Sequence, residues 1–152
     1  MSVKKSIYLS GPIEFTDNAY AWRNHMYRDL HDDFDIIIPD LIPCPFSKGD
    51  EGYGAWVKKH FILPDMKDVA VSNHFFVYID HVYSSGTYGE LSLASWLGKD
   101  IVCFLDGVEL KSLPQWIIGC LSGSIYVDSI DEAIKHYKNL SPLARLSSAQ
   151  SG

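Results

Sequence analysis

The stretch HFFVYIDHVYSSGTYGELSLASWLGKDIVCFLD, residues 74 to 106, holds two apolar runs on either side of one helical segment. HFFVYID (74–80) and DIVCFLD (100–106) do not alternate apolar with polar residues. Unbroken apolar runs of strand length belong to strands covered on both faces, as in parallel sheets. Between them, TYGELSLASWLG (87–98) is a helix of small and apolar residues that Gly98 can close in the left-handed conformation. Strand, helix, strand is the βαβ unit of a parallel sheet.

Working outward, the same alternation fills the chain. SIYLSG (6–11) reads as a short buried strand. DNAYAWRNHMYRDLHDDF (17–34) reads as a helix capped by Thr16 or Asp17, with Ala21, His25 or Met26, and Leu30 near one face. DIIIPDLIPCPF (35–46) begins as a strand, and Pro39 stops it because proline cannot donate to a ladder. Pro43, Pro45, Gly49, Gly52 and Gly54 then mark a long irregular loop. AWVKKHFILPDMKDVAVSN (55–73) is helical around Pro64, as one kinked helix or two segments. SLPQWIIGCL (112–121) is a short helix and SIYVD (124–128) a fifth strand. SIDEAIKHYKNL (129–140) is a last helix, with Ser129 and Glu132 at capping-box spacing. The expected fold is a single-domain α/β, doubly wound Rossmann or flavodoxin-like sheet of five parallel strands with helices on both faces. One domain spans 1–140, and residues 141–152 form a small, polar, flexible tail.

Composition narrows the function. The chain has 152 residues, a formal net charge of -6 and a pI near 5.4. That balance excludes a surface built to neutralise a nucleic-acid polymer. A small anion can still be held by backbone N–H groups and hydroxyls at a helix N-terminus. Three cysteines without C-x-x-C spacing make a poor disulfide framework, and Cys103, inside an apolar run, is expected to be a buried thiol. The N-terminus has neither a signal-peptide pattern nor a membrane-length apolar run, so a cytoplasmic protein that does not engage membranes is expected. Six histidines without ligand spacing predict no metal site, and no cofactor motif is present. SGPI is not a dinucleotide-binding glycine loop, and the G-x-S-x-G elbow of a hydrolase triad is missing.

In a doubly wound sheet, ligands bind beyond the carboxyl ends of the strands. Those ends are expected at Ser10-Gly11-Pro12, Pro39-Asp40, Asp80 to Gly86, Asp106-Gly107 and Asp128. Glu90 stands out as one acid in an otherwise apolar helix. A helix beginning near Gly86 or Thr87 puts it in the first turn, where both a site carboxylate and an ordinary acid facing the helix dipole fit the spacing. A site carboxylate needs a partner, and Asp65, on the helix leading into the third strand, is the candidate. Two carboxylates in one crevice can divide nucleophilic and proton-transfer work. Ser84, Ser85, Gly86 and Thr87 can form a phosphate cradle, or simply a turn with a helix cap. Ser122, Gly123 and Ser124 make a second hydroxyl-rich patch. Tyr8 and Trp22 can face a base or sugar, or fill the core.

These segments resemble the nucleoside 2-deoxyribosyltransferase superfamily, and within it the branch that hydrolyses 2′-deoxynucleoside 5′-monophosphates. IYLSGPI resembles the family's first strand and glycine loop, PDMKDVAVSNHFFVYID the segment carrying its aspartate, SSGTYGELSLASWLGKDIVCF its catalytic loop, and GCLSGSIYV the loop that crosses into the neighbouring subunit. The resemblance spans residues 5 to 138. It implies that Glu90 is a nucleophile at the anomeric carbon, that Tyr8 orients it and that Asp65 assists at the leaving base or sugar. It further implies that Ser84, Gly86 and, from a second subunit, Ser124 hold the phosphate, and with the strand ends and hydroxyls read above the expected substrate site also takes in Gly11, Pro12, Trp22, Asp80, Ser85 and Thr87. A homodimer follows, with Trp96, Trp116 and Ile117 as anchors. Serines at 84 and 124, where transferases tend to carry aspartate and asparagine, resemble the hydrolase branch, because a carboxylate would repel a 5′-phosphate. Tyr88 stands where the family usually has a second glycine, and residues 40 to 55 match no known base-recognition segment. The resemblance thus implies an N-glycosidase acting on a nucleoside monophosphate. Base exchange between deoxynucleosides and a non-catalytic nucleotide-binding module are the alternatives.

Overall fold

The computed structural model of the chain describes residues 3–13 and 18–141. Five parallel strands, β1 (Ser6–Ser10), β2 (Asp35–Ile37), β3 (His74–Ile79), β4 (Asp100–Leu105) and β5 (Ile125–Val127), lie in the order β2-β1-β3-β4-β5. This is the expected doubly wound α/β fold. The chain reverses its winding direction between β1 and β3, and the crevice beyond those two strand ends is where such folds place a ligand. Every residue of β3 is buried, as an apolar run without alternation requires.

The helices are α1 (Ala21–Leu30), α2 (Tyr53–Val57), α3 (Leu63–Val71), α4 (Ser85–Trp96), α5 (Gln115–Cys120) and α6 (Ile130–Leu140). Two apolar layers cover the sheet. Ile7 and Leu9 of β1 face Trp22, Met26 and Leu30 of α1 and Ala133, Ile134 and Tyr137 of α6. Tyr8 faces the opposite layer, with Val69 of α3, Leu91 and Ala94 of α4 and Ile117 of α5. The two-residue period of the strand therefore sends Tyr8 to the side on which α4 lies.

Several boundaries differ from expectation. Helix α1 begins at Ala21 without a side-chain cap, and Thr16 and Asp17 lie outside the described residues. Its buried face is Trp22, Arg23, Met26 and Leu30, while Ala21 is exposed. The Pro64 segment is one continuous helical run: a π-helical turn, Lys58–Ile62, joins α2 to α3, and Pro64 falls at the start of α3, where its missing N–H costs little. Gly98 closes α4 as expected, at φ 68°, and Lys99 N–H bonds back to Ala94 O at 3.0 Å. Ser129 accepts from Glu132 N–H at 3.0 Å, while the Glu132 carboxylate takes the Asp128 N–H at 2.8 Å, one residue earlier than a standard capping box. Cys103 is fully buried, and burial pushes its thiol up to about 12. Residues 142–152, most of the expected tail, lie outside the described residues.

Candidate active site

Helix α4 begins at Ser85, so Glu90 occupies its second turn and the first turn carries no acid. The dipole's effect fades beyond the first turn, which removes the ordinary reason for an acid here. Glu90 is instead 7% exposed and turned toward β1. The Tyr8 hydroxyl donates to Glu90 Oε2, and Ser10 Oγ donates to Oε1 at 2.9 Å. Tyr8 and Ser10 are two residues apart on one strand, so their side chains share a face and hold both carboxyl oxygens at once.

Burial is the main influence on Glu90 and pushes its carboxyl up from 4.5 to about 7. The Tyr8 and Ser10 hydrogen bonds and the Arg23 charge oppose that rise, and Asp65 adds to it. Tyr8 is itself held far above its usual range, first by burial and then by the Glu90 charge, so it stays a donor. Asp65 lies in the first turn of α3, half-buried, and burial with the charges of Asp68 and Asp40 raises its carboxyl to about 6. It opens onto a hollow of about 180 Å³ with Ile38, Asp40, Ile42, His60, Pro64 and Asp68. Part of the unassigned segment after residue 40 therefore lines a recess beside Asp65.

The carboxyl end of β1 is tightly built. A Cβ on Gly11 would come within 2.8 Å of the Trp22 ring and 3.1 Å of Tyr78 O, so the chain needs glycine there. Pro12 follows, also buried. Arg23 is wholly buried and donates to Leu9 O at 3.2 Å, to Gly11 O at 2.8 Å and to Ala19 O. Across the crevice, Ser84 is the residue before α4, its Oγ donates to Thr87 Oγ1 at 2.5 Å, and Ser85 and Gly86 form the first turn. Asp80, directly after β3, contacts His81 at 2.5 Å.

Glu90, Tyr8, Gly11, Pro12, Asp80 and the segment from Ser84 to Thr87 thus gather at the carboxyl ends of β1 and β3, with Asp65 close enough for its charge to act on Glu90. Trp22 is 5% exposed and packs on Tyr78 and Phe76, so it belongs to the core and not to the crevice surface. Ser124 lies at the start of β5, in a cleft with His74, Lys99 and Tyr137 at the opposite, amino edge of the sheet, so it takes no part in its own chain's crevice. Ile117 is 2% exposed within the core and cannot anchor an interface, whereas Trp96 and Trp116 are 85% and 72% exposed. Trp116 Nε1 donates to Ser92 Oγ at 2.9 Å, which ties α5 to α4 on that face. Sequence reasoning put Ser10 on the binding edge without giving it a partner, and missed Arg23. The role of Ser10 was recoverable from its two-residue spacing from Tyr8, that of Arg23 from a cation among the buried positions of α1.

Among the described residues, no group of three or more His, Cys, Asp or Glu side chains is placed to hold a metal ion, and no helix is long and apolar enough to cross a membrane. No family model and no curated protein matches the chain. Solved structures do. A conserved protein from Enterococcus faecalis V583 superposes with a TM-score of 0.67 at 15% identity, over 90% of this chain and 99% of its own. The 2-deoxyribosyltransferase of Bacillus psychrosaccharolyticus superposes at 0.59 with 21% identity, over 85% and 90%. The CMP N-glycosidase BcmB of Clostridium botulinum superposes at 0.54 with 16% identity, over 88% and 99%. At these identities the shared property is the fold: this chain has the fold of a 2-deoxyribosyltransferase and of a CMP N-glycosidase.

Proposed function

We propose that the protein hydrolyses the N-glycosidic bond of a (deoxy)nucleoside 5′-monophosphate. The observation that carries this reading is a buried carboxyl, Glu90, with both oxygens fixed by hydroxyl groups at the switch point of the sheet. A carboxyl titrating near neutrality and held against rotation suits a nucleophile, because the ionised form is available and poorly solvated. A Glu90 oxygen attacks C1′ as the C1′–N bond breaks through an oxocarbenium-like transition state. The bonding electrons pass to the base nitrogen, which takes a proton from solvent, while Asp65, whose charge acts on Glu90, assists at the leaving base or positions the sugar. Water then attacks C1′ of the glycosyl ester, returns the carboxylate and frees the sugar phosphate.

The first turn of α4 favours a phosphate on the substrate. Its leading N–H groups lack partners within the helix, the hydroxyls of Ser84, Ser85 and Thr87 lie beside them, and no carboxylate sits there to repel an anion. The exposed Trp96 and Trp116 support a homodimer formed through α4 and α5, with Ser124 of one subunit serving the other's phosphate site. A cytoplasmic setting accords with a free-nucleotide substrate.

Base transfer is the second reading, and the shared fold with a 2-deoxyribosyltransferase favours it. Both readings share the glycosyl-enzyme step. Incubating the protein with ribo- and deoxynucleosides and their 5′-monophosphates, with and without a second free base, separates them by chromatography. Hydrolysis predicts free base and sugar phosphate in equal amounts. A newly formed nucleoside or nucleotide carrying the second base would replace hydrolysis with transfer, and no base release from any substrate would end both readings.

A further inference from the structure

The buried guanidinium of Arg23 is the strongest unused feature of the crevice. A buried charge is costly unless it is paired or fully hydrogen-bonded, and arginine stays charged in proteins. Arg23 is wholly buried, yet its three hydrogen bonds go to main-chain carbonyls. Leu9 O and Gly11 O flank Ser10, whose hydroxyl holds Glu90, and Ala19 O precedes α1. The guanidinium also lies 4.5 Å from the centre of the Trp22 ring and 5.8 Å from that of Tyr20.

We propose that Arg23 is a positioning residue of this site. Its planar fork locks the end of β1 so that Tyr8 and Ser10 meet both oxygens of Glu90, and its permanent charge favours the ionised form of that carboxyl. Lysine cannot reproduce this, because one ammonium cannot span carbonyls on both sides of Ser10 with a rigid fork. Among the described residues, the titratable and charged groups acting on Glu90 are Tyr8 from β1, Arg23 from α1 and Asp65 from α3, with Asp40 and Asp68 acting on Asp65. Arg23 is the cation among them. The role rests on Glu90 being the nucleophile, but the NMR part of its test does not require turnover.

The test is carboxyl ¹³C NMR titration of Glu90 in the intact protein, comparing wild type with Arg23→Met and Arg23→Lys. In Arg23→Met the Glu90 midpoint should move up by about one pH unit, which lowers the ionised fraction below the midpoint about tenfold. In Arg23→Lys, which keeps the charge but not the fork, it should move up by less than in Arg23→Met while the Ser10 and Gly11 amide resonances shift, and kcat should fall with little change in KM. A Glu90 midpoint unchanged in folded Arg23→Met would overturn the electrostatic half. Wild-type amide positions and wild-type kcat in Arg23→Lys would overturn the geometric half. Should Arg23→Met fail to fold, Arg23→Gln takes its place, and an unchanged Glu90 midpoint in that folded variant would overturn the electrostatic half. In the wild-type chain, the Arg23 Nε proton, donated to Leu9 O, should exchange slowly with solvent, and rapid exchange would contradict the lock itself. Loss of the nucleophile reading would show separately, as base release that survives removal of the Glu90 carboxylate.

Discussion

Replacing Glu90 with glutamine separates what the site requires from what the fold prefers. Burial carries the Glu90 carboxyl from 4.5 to about 7, so the folded chain holds this proton more tightly than the unfolded chain does. Below pH 4.5 both states are protonated and the stabilising contribution is complete. As pH rises through 4.5 the unfolded state releases its proton while the folded state keeps it, and the contribution is lost by the time pH passes about 7. At about 1.4 kcal/mol per pH unit, the loss is about 3 kcal/mol. Glutamine does not ionise and has no such slope. Its amide oxygen can accept from only one of the Tyr8 and Ser10 hydroxyls and its NH2 must donate to the other, which lowers the stability of the variant by a fixed amount at every pH. The informative quantity is therefore the difference between wild type and Glu90→Gln, measured by urea unfolding at pH 5 and pH 8. His74, whose protonated form burial disfavours, contributes to both proteins and cancels to first order. Between those pH values the variant should gain about 2.5 kcal/mol on the wild type, while releasing no base. Stability curves that stay parallel to within about 0.5 kcal/mol would show that Glu90 titrates near its ordinary value, and the argument from burial would fail.

Three further outcomes follow from the same geometry. Tyr8→Phe removes the hydrogen bond that favours the Glu90 carboxylate, so the acid limb of kcat/KM should move to higher pH and the value at pH 6 should fall about tenfold or more; an unmoved limb would contradict the role of Tyr8. Ser84→Asp places a carboxylate at the start of α4 and should weaken binding of a nucleoside monophosphate about a hundredfold while sparing the nucleoside, as calorimetry with both would show; equal losses would argue against a phosphate there. Trp96→Glu with Trp116→Glu should shift the protein from dimer to monomer in sedimentation, and a wild type that is monomeric at every concentration would dismiss that interface.

How far the sequence speaks depends on what fixes each feature. The sheet was legible because buried parallel strands must be apolar throughout, and HFFVYID and DIVCFLD are. Local chemistry also showed through: Gly98 ends α4 because its φ of 68° suits glycine, and Ser129 caps α6 by its own hydroxyl. The start of α1 carries no such cap, so nothing local marked it. Pro64 is accommodated by a π-helical turn whose lengthened hydrogen bonds leave no pattern in the residues.

The site was partly legible for the same reasons. Strand order alone brings the ends of β1 and β3 together, and with them Glu90 and the Ser84 to Thr87 turn. The position of Glu90 within α4 was misplaced by one turn, and that turn is what distinguishes a site acid from a dipole partner. Trp22 and Ile117 went astray because aromatic and branched residues on a short helix give no indication of which neighbour will cover them; Tyr78 covers one and the α4 layer the other. Arg23 left only its place among the buried positions of α1 as a signal, because its partners are backbone carbonyls, which every sequence has.

The central claim is that Glu90 forms a bond to the sugar, and acid quenching during turnover followed by peptide mass spectrometry tests it most directly. With a turned-over nucleoside monophosphate, the predicted result is a sugar phosphate attached to the peptide containing Glu90, absent from Glu90→Gln. A sugar adduct on any other residue, or base release by Glu90→Gln within about tenfold of the wild-type rate, would contradict the account.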